Sequence, residues 1–205
     1  MKKVPIGVLV SGSGTNLQAI LDAGRENRLG PGEVRLVVSN IAEAKALERA
    51  ERAGVPTKVL PHQSSPSREA YDDALVTALR AAGVELVALA GFMRLVTPRL
   101  LDAFPLRVVN IHPSLLPAFP GLHAQKQAVG HGVKVSGCTV HFVDTGLDSG
   151  PIIAQAAVPV HDDDDAERLQ QRILVEEHRL YPTVLRALAE GRVDVHGRRV
   201  VIRSA

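Results

Sequence analysis

The chain has 205 residues, of which 45% are hydrophobic and 22% charged, and its formal net charge is +2. That length and composition suit one soluble globular domain, residues 1–205, with a sizeable core. The small, dispersed charge speaks against nucleic acid or a membrane surface as partner, and no segment approaches the roughly 18 consecutive apolar residues of a membrane span. The single cysteine, Cys138, excludes a disulfide within the chain and a zinc site built on cysteine pairs, and suits a reducing cytoplasm.

The opening MKKVPIGVLVSGSG has an apolar run too short for a signal peptide and no small-residue cleavage pattern, so VPIGVLV reads as a first buried strand. TNLQAILDAGRENRLG reads as a helix closed by glycine, EVRLVVSN as a second strand, AEAKALERAERAG as a helix ended by Gly54, and PTKVL as a short third strand. SREAYDDALVTALRAAG is a helix with Ser67 as its capping candidate, followed by the apolar strand VELVALAG. TPRLLDAF is a short helix with Pro98 at its first position, and RVVNIH is the fifth strand. This alternation predicts an α/β fold: a mostly parallel twisted sheet with helices on both faces.

After His123 the pattern changes. KVSGCTVHFVD and PIIAQAAVPV are two longer strands separated by the turn-rich TGLDSG. A long helix spans roughly Asp163 to Glu190, and its acidic start, DDDDAE, complements the positive end of the helix dipole. RVDVHGRRVVIR reads as a terminal hairpin turning at His196-Gly197.

Three places carry chemistry. The first is the loop Ser11-Gly12-Ser13-Gly14-Thr15-Asn16, between strand and helix. Gly12 and Gly14 allow a tight turn and close backbone approach to a ligand, the helix start offers unpaired N–H groups to an anion, and Ser13 and Thr15 add hydroxyls. A P-loop would need a Gly-Lys-Ser/Thr ending, and a dinucleotide fingerprint would need a small residue at Leu17 and an acid where the second strand ends in Ser39-Asn40. A single phosphate on a small substrate fits better; a ligand-free glycine turn is the other reading.

The second is NIHPSLLPAFPG. Asn110 and His112 are two apart on a strand and so share a face, at the carboxyl edge just before a proline-rich loop. A satisfied buried pair competes with an active site here. The third is Asp148 in DTGLDSGP, where turn chemistry alone also accounts for an aspartate. If the three meet, the asparagine amide donates to a carbonyl oxygen that becomes negative, the histidine stabilises that oxyanion or passes a proton, and the aspartate orients the histidine. That is acyl transfer directly to a substrate nucleophile. On the long helix, Leu169, Ile173, Tyr181 and Leu185 form an i, i+4 row that includes Glu177, a charge on the face expected to be buried. The histidines His62, His123, His131, His141, His161, His178 and His196 form no metal-ligand pattern, so no metal is expected.

In order, SGSGTNLQAI, SNIAEAKALERA, SREAYD, LAGFMRLVTP, NIHPSLLPAFPGLHA, VHFVDTGLDSGPIIAQ and EEHRLYP resemble the glycinamide ribonucleotide formyltransferases, within the folate-dependent formyltransferase superfamily. The resemblance runs along nearly the whole chain. It implies a Rossmann-like formyltransferase fold with a phosphate-binding half at about 1–110 and, at about 111–205, a half that completes the folate and catalytic site. It implies transfer of the formyl group of 10-formyltetrahydrofolate to glycinamide ribonucleotide, in the cytoplasm, by a monomer or homodimer. Asn110, His112 and Asp148 match the catalytic residues, with His112 as proton donor. Gly14, Thr15 and Asn16, beside Gly12 and Ser13, match the phosphate loop, and Glu177 a ribonucleotide contact. Arg68 matches a folate contact at the glutamate tail; Met93, Arg94, Leu95 and Val96 match the segment receiving the pterin, with Asn110; and Asp144 to Asp148 match the loop closing over that ring. Ser149 stands where many members have glycine. Related alternatives are a formyltetrahydrofolate hydrolase, a methionyl-tRNA formyltransferase, which would need a further RNA-binding domain, and a non-catalytic folate- or nucleotide-binding module.

Overall fold

The computed structural model describes residues 2–204. Its main sheet has seven strands: β1 (Val4–Val10), β2 (Gly32–Ser39), β3 (Thr57–Val59), β4 (Leu86–Leu89), β5 (Val108–His112), β6 (Val135–Phe142) and β7 (Ile152–Pro159). They lie in the order β3-β2-β1-β4-β5-β6-β7. The first five are parallel; β6 runs antiparallel to β5 and β7 antiparallel to β6. The chain order reverses between β1 and β4, and in open α/β sheets that switch point leaves a crevice at the carboxyl ends of the strands.

Six helices connect the strands: α1 (Thr15–Arg25), α2 (Lys45–Arg52), α3 (Arg68–Ala81), α4 (Pro98–Ala103), α5 (Ala124–His131) and α6 (Ala166–Ala189). Both faces of the sheet are covered, which is why β1 and β4 read as near-continuous apolar runs. Ile6, Val8 and Val10 of β1 bury against Leu17 and Ile20 of α1 and the Leu169, Ile173 and Leu185 face of α6. Leu9 points the other way, into a second cluster with Tyr71, Leu75 and Leu79 of α3 and Leu100 of α4. The Tyr181 hydroxyl reaches the backbone carbonyls of Leu89 (2.9 Å) and Val109 (3.1 Å), fastening α6 to the carboxyl ends of β4 and β5.

Several boundaries differ from the sequence expectation, each for a local reason. α1 is not closed by Gly30. Asn27 takes the left-handed conformation (φ 57), and the amides of Asn27 and Arg28 cap the carbonyls of Gly24 and Ala23, so an asparagine three residues earlier ends the helix. α2 begins at Lys45 rather than near Ala42, and Gly54 (φ 71) ends it as expected. α5 was not expected at all: AQKQAVGH buries only Ala124 and Ala128, too little apolar surface to announce a helix. α6 starts at Ala166, with Asp165 as its cap accepting from the Arg168 amide. Of the other acids, Asp162 and Asp163 are exposed, and Asp164 is the exception. The Asp164 side chain is covered in a two-pronged pair with Arg172 (2.6 and 2.9 Å), whose hydrogen bonds hold its carboxyl well below the usual range. The terminal hairpin, β8 (Val193–His196) with β9 (Arg199–Ile202), turns one residue later than expected, at Gly197-Arg198, because Gly197 supplies the positive φ of 60° at the first loop position.

Candidate active site

A cavity of about 760 Å³ opens at the carboxyl ends of β1, β4 and β5. Residues 12–16, 93–96, Asn110, His112, Asp144, Asp148 and Glu177 all line it. Arg68 does not: it is exposed at the first position of α3, one turn before Tyr71, over whose ring the Arg94 guanidinium stacks at 5.0 Å.

The alternation of β5 puts Asn110 and His112 on one face. Asp148 comes from the β6–β7 connection. Its Oδ2 lies 3.3 Å from His112 Nδ1 and accepts the Gly121 amide at 2.8 Å. His112 Nε2 lies 2.9 Å from the Phe119 carbonyl. Both ring nitrogens therefore face groups that only accept, and the ring can satisfy both only with a proton on each. The two residues that grip it, Phe119 (φ 53) and Asp148 (φ 50), are both left-handed, a conformation non-glycine residues take at a cost.

His141, passed over in the sequence, completes the cluster. The antiparallel register pairs it directly with Asn110. Its Nδ1 donates to the Phe142 carbonyl (2.8 Å), leaving Nε2 to accept the Asn110 amide at 3.2 Å. Burial pushes His141 below the ordinary histidine range, which suits this neutral form. Asp148 Oδ1 is 3.7 Å from the same Nε2, too far for a hydrogen bond, so we read that approach as a neighbour of a neutral ring and not as an ion pair. Asn110 is thus held by one amide hydrogen, with the other free toward the cavity. A lone histidine inside the apolar run CTVHFV was the available signal, but its meaning depends on the register.

The Asp148 loop is closed on itself and tied to the terminal hairpin. Asp144 Oδ1 accepts the Gly146 amide (3.1 Å) and the Ser149 hydroxyl (2.7 Å), so the serine at the position where glycine was noted has a bond to make. The Arg198 guanidinium donates to the Ser149 carbonyl at 2.9 Å.

The other end of the cavity is the loop after β1. The Gly12 carbonyl accepts the Ala46 amide (3.1 Å), and the Ser13 carbonyl accepts Arg49 Nε (2.8 Å). Both carbonyls are pinned on α2. In a trans peptide the N–H points opposite the C=O, so the Ser13 and Gly14 amides face away from α2. No side chain caps α1, whose first amides stay open. Packing separates the two glycines. Gly14 is left-handed (φ 72), and a Cβ there would come within 2.6 Å of Ala46 Cβ, so α2 demands this glycine; a Cβ on Gly12 would meet nothing within 4 Å. Ser11, also without an assigned role in the sequence, accepts the Met93 amide (2.8 Å) and donates to Asn40 (2.6 Å), tying this loop to the 93–96 segment. Asp72, buried in α3, accepts the Thr97 amide at 2.5 Å and anchors that segment from behind.

Glu177 lies in the buried row of α6, 4% exposed, as its spacing predicted. Its Oε2 accepts the Asn16 amide at 2.8 Å. Burial pushes its carboxyl up to about 7, against the pull of that hydrogen bond. Leu174 and Gln170, one and two turns earlier on the same face, join it in the cavity wall. Cys138, mid-strand and fully buried, has its thiol pushed up to about 12, chiefly by burial, and offers no nucleophile. Among the described residues no group of three or more His, Cys, Asp or Glu is placed to hold a metal ion, and no helix is long and apolar enough to cross a membrane.

The sequence pattern of the formyl transferase family matches residues 4–185. The phosphoribosylglycinamide formyltransferase of Escherichia coli (strain K12) is 46% identical over 191 residues, covering 93% of this chain and 90% of that protein. The trifunctional purine biosynthetic protein adenosine-3 of Drosophila pseudoobscura pseudoobscura is 51% identical over 187 residues, but this chain spans only 14% of that longer protein. A crystal structure of glycinamide ribonucleotide transformylase 1 from Symbiobacterium toebii superposes with a TM-score of 0.97 at 60% identity, covering 98% of this chain and 95% of that one. By sequence pattern, relatives and fold, the chain belongs to the formyl transferase family.

Proposed function

We propose that this chain transfers the formyl group of 10-formyltetrahydrofolate to the amine of glycinamide ribonucleotide, a step of purine biosynthesis. The observation that carries the reading is one cavity bounded at one end by Asn110, His112 and Asp148 and at the other by the open amides of the β1–α1 loop. Residues 1–205 act as one unit, the part before about residue 110 holding the phosphate. Phosphate meets the amides of Gly14, Thr15 and Asn16, with the Ser13 and Thr15 hydroxyls beside them and Gly12 leaving room. Glu177 meets a neutral polar group of the ribonucleotide. The folate ring enters beside Met93, Arg94, Leu95 and Val96, where the exposed side chains of Met93, Leu95, Leu122 and Leu147 give an apolar rim, and Asp144 to Asp148 close over it. Arg68 meets the acidic tail outside the cavity.

The substrate amine attacks the formyl carbon and the C=O electron pair moves to oxygen. The free amide hydrogen of Asn110 and a His112 N–H stabilise that oxyanion. For His112 to reach it, the Nε2 contact with Phe119 gives way to substrate, while Asp148 keeps the ring in place through Nδ1. Collapse restores the C=O and breaks the bond to the folate nitrogen, which takes up a proton as the attacking nitrogen loses one. His112 carries that proton between them.

Spectroscopic measurement of the folate product tests this. Product should form only when glycinamide ribonucleotide is present. Product without it would mean a hydrolase, and no product in either case would mean a binding module.

A further inference from the structure

The phosphate end of the cavity lacks a visible counter-charge. No lysine lines the cavity, and its one arginine, Arg94, is stacked on Tyr71 on the α3 side of the sheet. Within the cavity, the ionisable side chain bonded to this loop is the carboxyl of Glu177, through Asn16. Amide dipoles alone would have to hold a doubly charged group next to an acid.

Behind the loop, between α1, α2 and α6, lies a second, shallower cavity that shares Thr15 with the first. Its charges are mostly answered locally: Asp22 pairs with Arg25, and Glu26 with Arg28. His178 is held below the ordinary histidine range by burial first and by Arg49 second, so it adds no charge near neutrality. Arg49 remains. Among the described residues it has no carboxylate partner; Nε donates to the Ser13 carbonyl (2.8 Å) and one terminal nitrogen to Gln18 Oε1 (3.2 Å). The Ser13 carbonyl belongs to the same peptide unit as the Gly14 N–H. A cation bound to that oxygen polarises the peptide and strengthens its N–H as a donor, and it adds its own charge from the far side of the loop.

We infer that Arg49 is the specificity-determining cation of the phosphate site, acting from behind through the Ser13–Gly14 peptide without touching the ligand. This rests on the proposed function, in which the substrate carries a phosphate. The test compares kcat/KM for glycinamide ribonucleotide and for its phosphate-free riboside, in the wild type, Arg49→Gln and Arg49→Lys. The wild type should prefer the phosphorylated substrate by on the order of a thousandfold. Arg49→Gln should cut that ratio by about tenfold, roughly 1.4 kcal/mol. Arg49→Lys, which keeps the charge, should hold it within about threefold of wild type. A ratio unchanged in Arg49→Gln overturns the inference, as does an equal loss in Arg49→Lys, which would make the geometry of the Ser13 and Gln18 bonds decisive and not the charge. A variant that merely lowers the amount of folded enzyme lowers both substrates together and leaves the ratio alone, and one that loosens the loop without regard to charge shows the same loss in Arg49→Lys. If the wild type itself ignores the phosphate, the reading of the loop has failed, a result distinct from a wild type that discriminates beside an Arg49→Gln variant that still does.

Discussion

At the His112 end of the cavity four side chains fix one another: Asn110 on His141, His112 on Asp148, with backbone carbonyls taking the remaining ring protons. At the α1 end the backbone presents the donors, and the side chains that matter stand behind it or, like Glu177, sit buried with one bond. The first arrangement is preorganised for a charge that develops during reaction; the second is a cradle for a charge already present. Damage at the first end should therefore appear in turnover, and damage at the second in stability and substrate affinity.

The largest effect should come from Asn110→Ala. Losing the amide donor should lower kcat by roughly two to three orders of magnitude at saturating folate. Steady-state kinetics with both substrates saturating would check it, and a kcat within about threefold of wild type would dismiss Asn110 as an oxyanion donor.

Glu177 gives a pH signature at the other end. Its folded carboxyl is raised to about 7 from the ordinary 4.5. An acid so raised binds its proton more tightly when folded, so its stabilising contribution is intact below about 4.5 and lost as pH rises through 7. Across that window the wild type should lose roughly 2–4 kcal/mol more than Glu177→Gln, which carries no titrating group. Denaturant unfolding of both proteins at pH 5 and pH 8 measures it; parallel pH dependences would show that the carboxyl titrates normally.

The glycines should separate by somewhat less. Gly14→Ala meets both the left-handed penalty and Ala46, and should destabilise by about 2–4 kcal/mol. Gly12→Ala, facing open space, should stay within about 0.5 kcal/mol. Equal stabilities in thermal or denaturant unfolding would mean that α2 does not dictate Gly14.

The same contrast explains what could be read from the sequence. Asn110 and His112 announce themselves because two polar residues at strand spacing precede a proline loop, and Glu177 because it interrupts an apolar helical row. The mostly parallel sheet with helices on both faces follows from apolar runs punctuated by glycines, whereas the strand order β3-β2-β1-β4-β5-β6-β7 does not. What stayed hidden depends on long-range pairing. His141 acquires its meaning only when β6 turns back antiparallel and sets it opposite Asn110. Arg49 looks like any solvated arginine of α2 until the β1–α1 loop folds against it. α5 hides because alanines do its packing, and the end of α1 was misjudged because Asn27 does the work expected of a glycine. Gly14 reads from the sequence as a ligand-loop glycine; that α2 also requires it shows only once Ala46 packs against it.

Asp148→Asn is the sharpest probe of the division between the two ends. The substitution keeps the side chain's shape and an oxygen for the Gly121 amide, and removes the charge beside His112. Single-turnover formyl transfer, with both substrates saturating and both dissociation constants measured separately, should slow by roughly a hundredfold, a loss of about 3 kcal/mol of transition-state stabilisation, while each dissociation constant stays within about threefold of wild type. An undiminished single-turnover rate, or a loss accounted for wholly by weaker binding, would contradict the assignment of the chemistry to the His112 end.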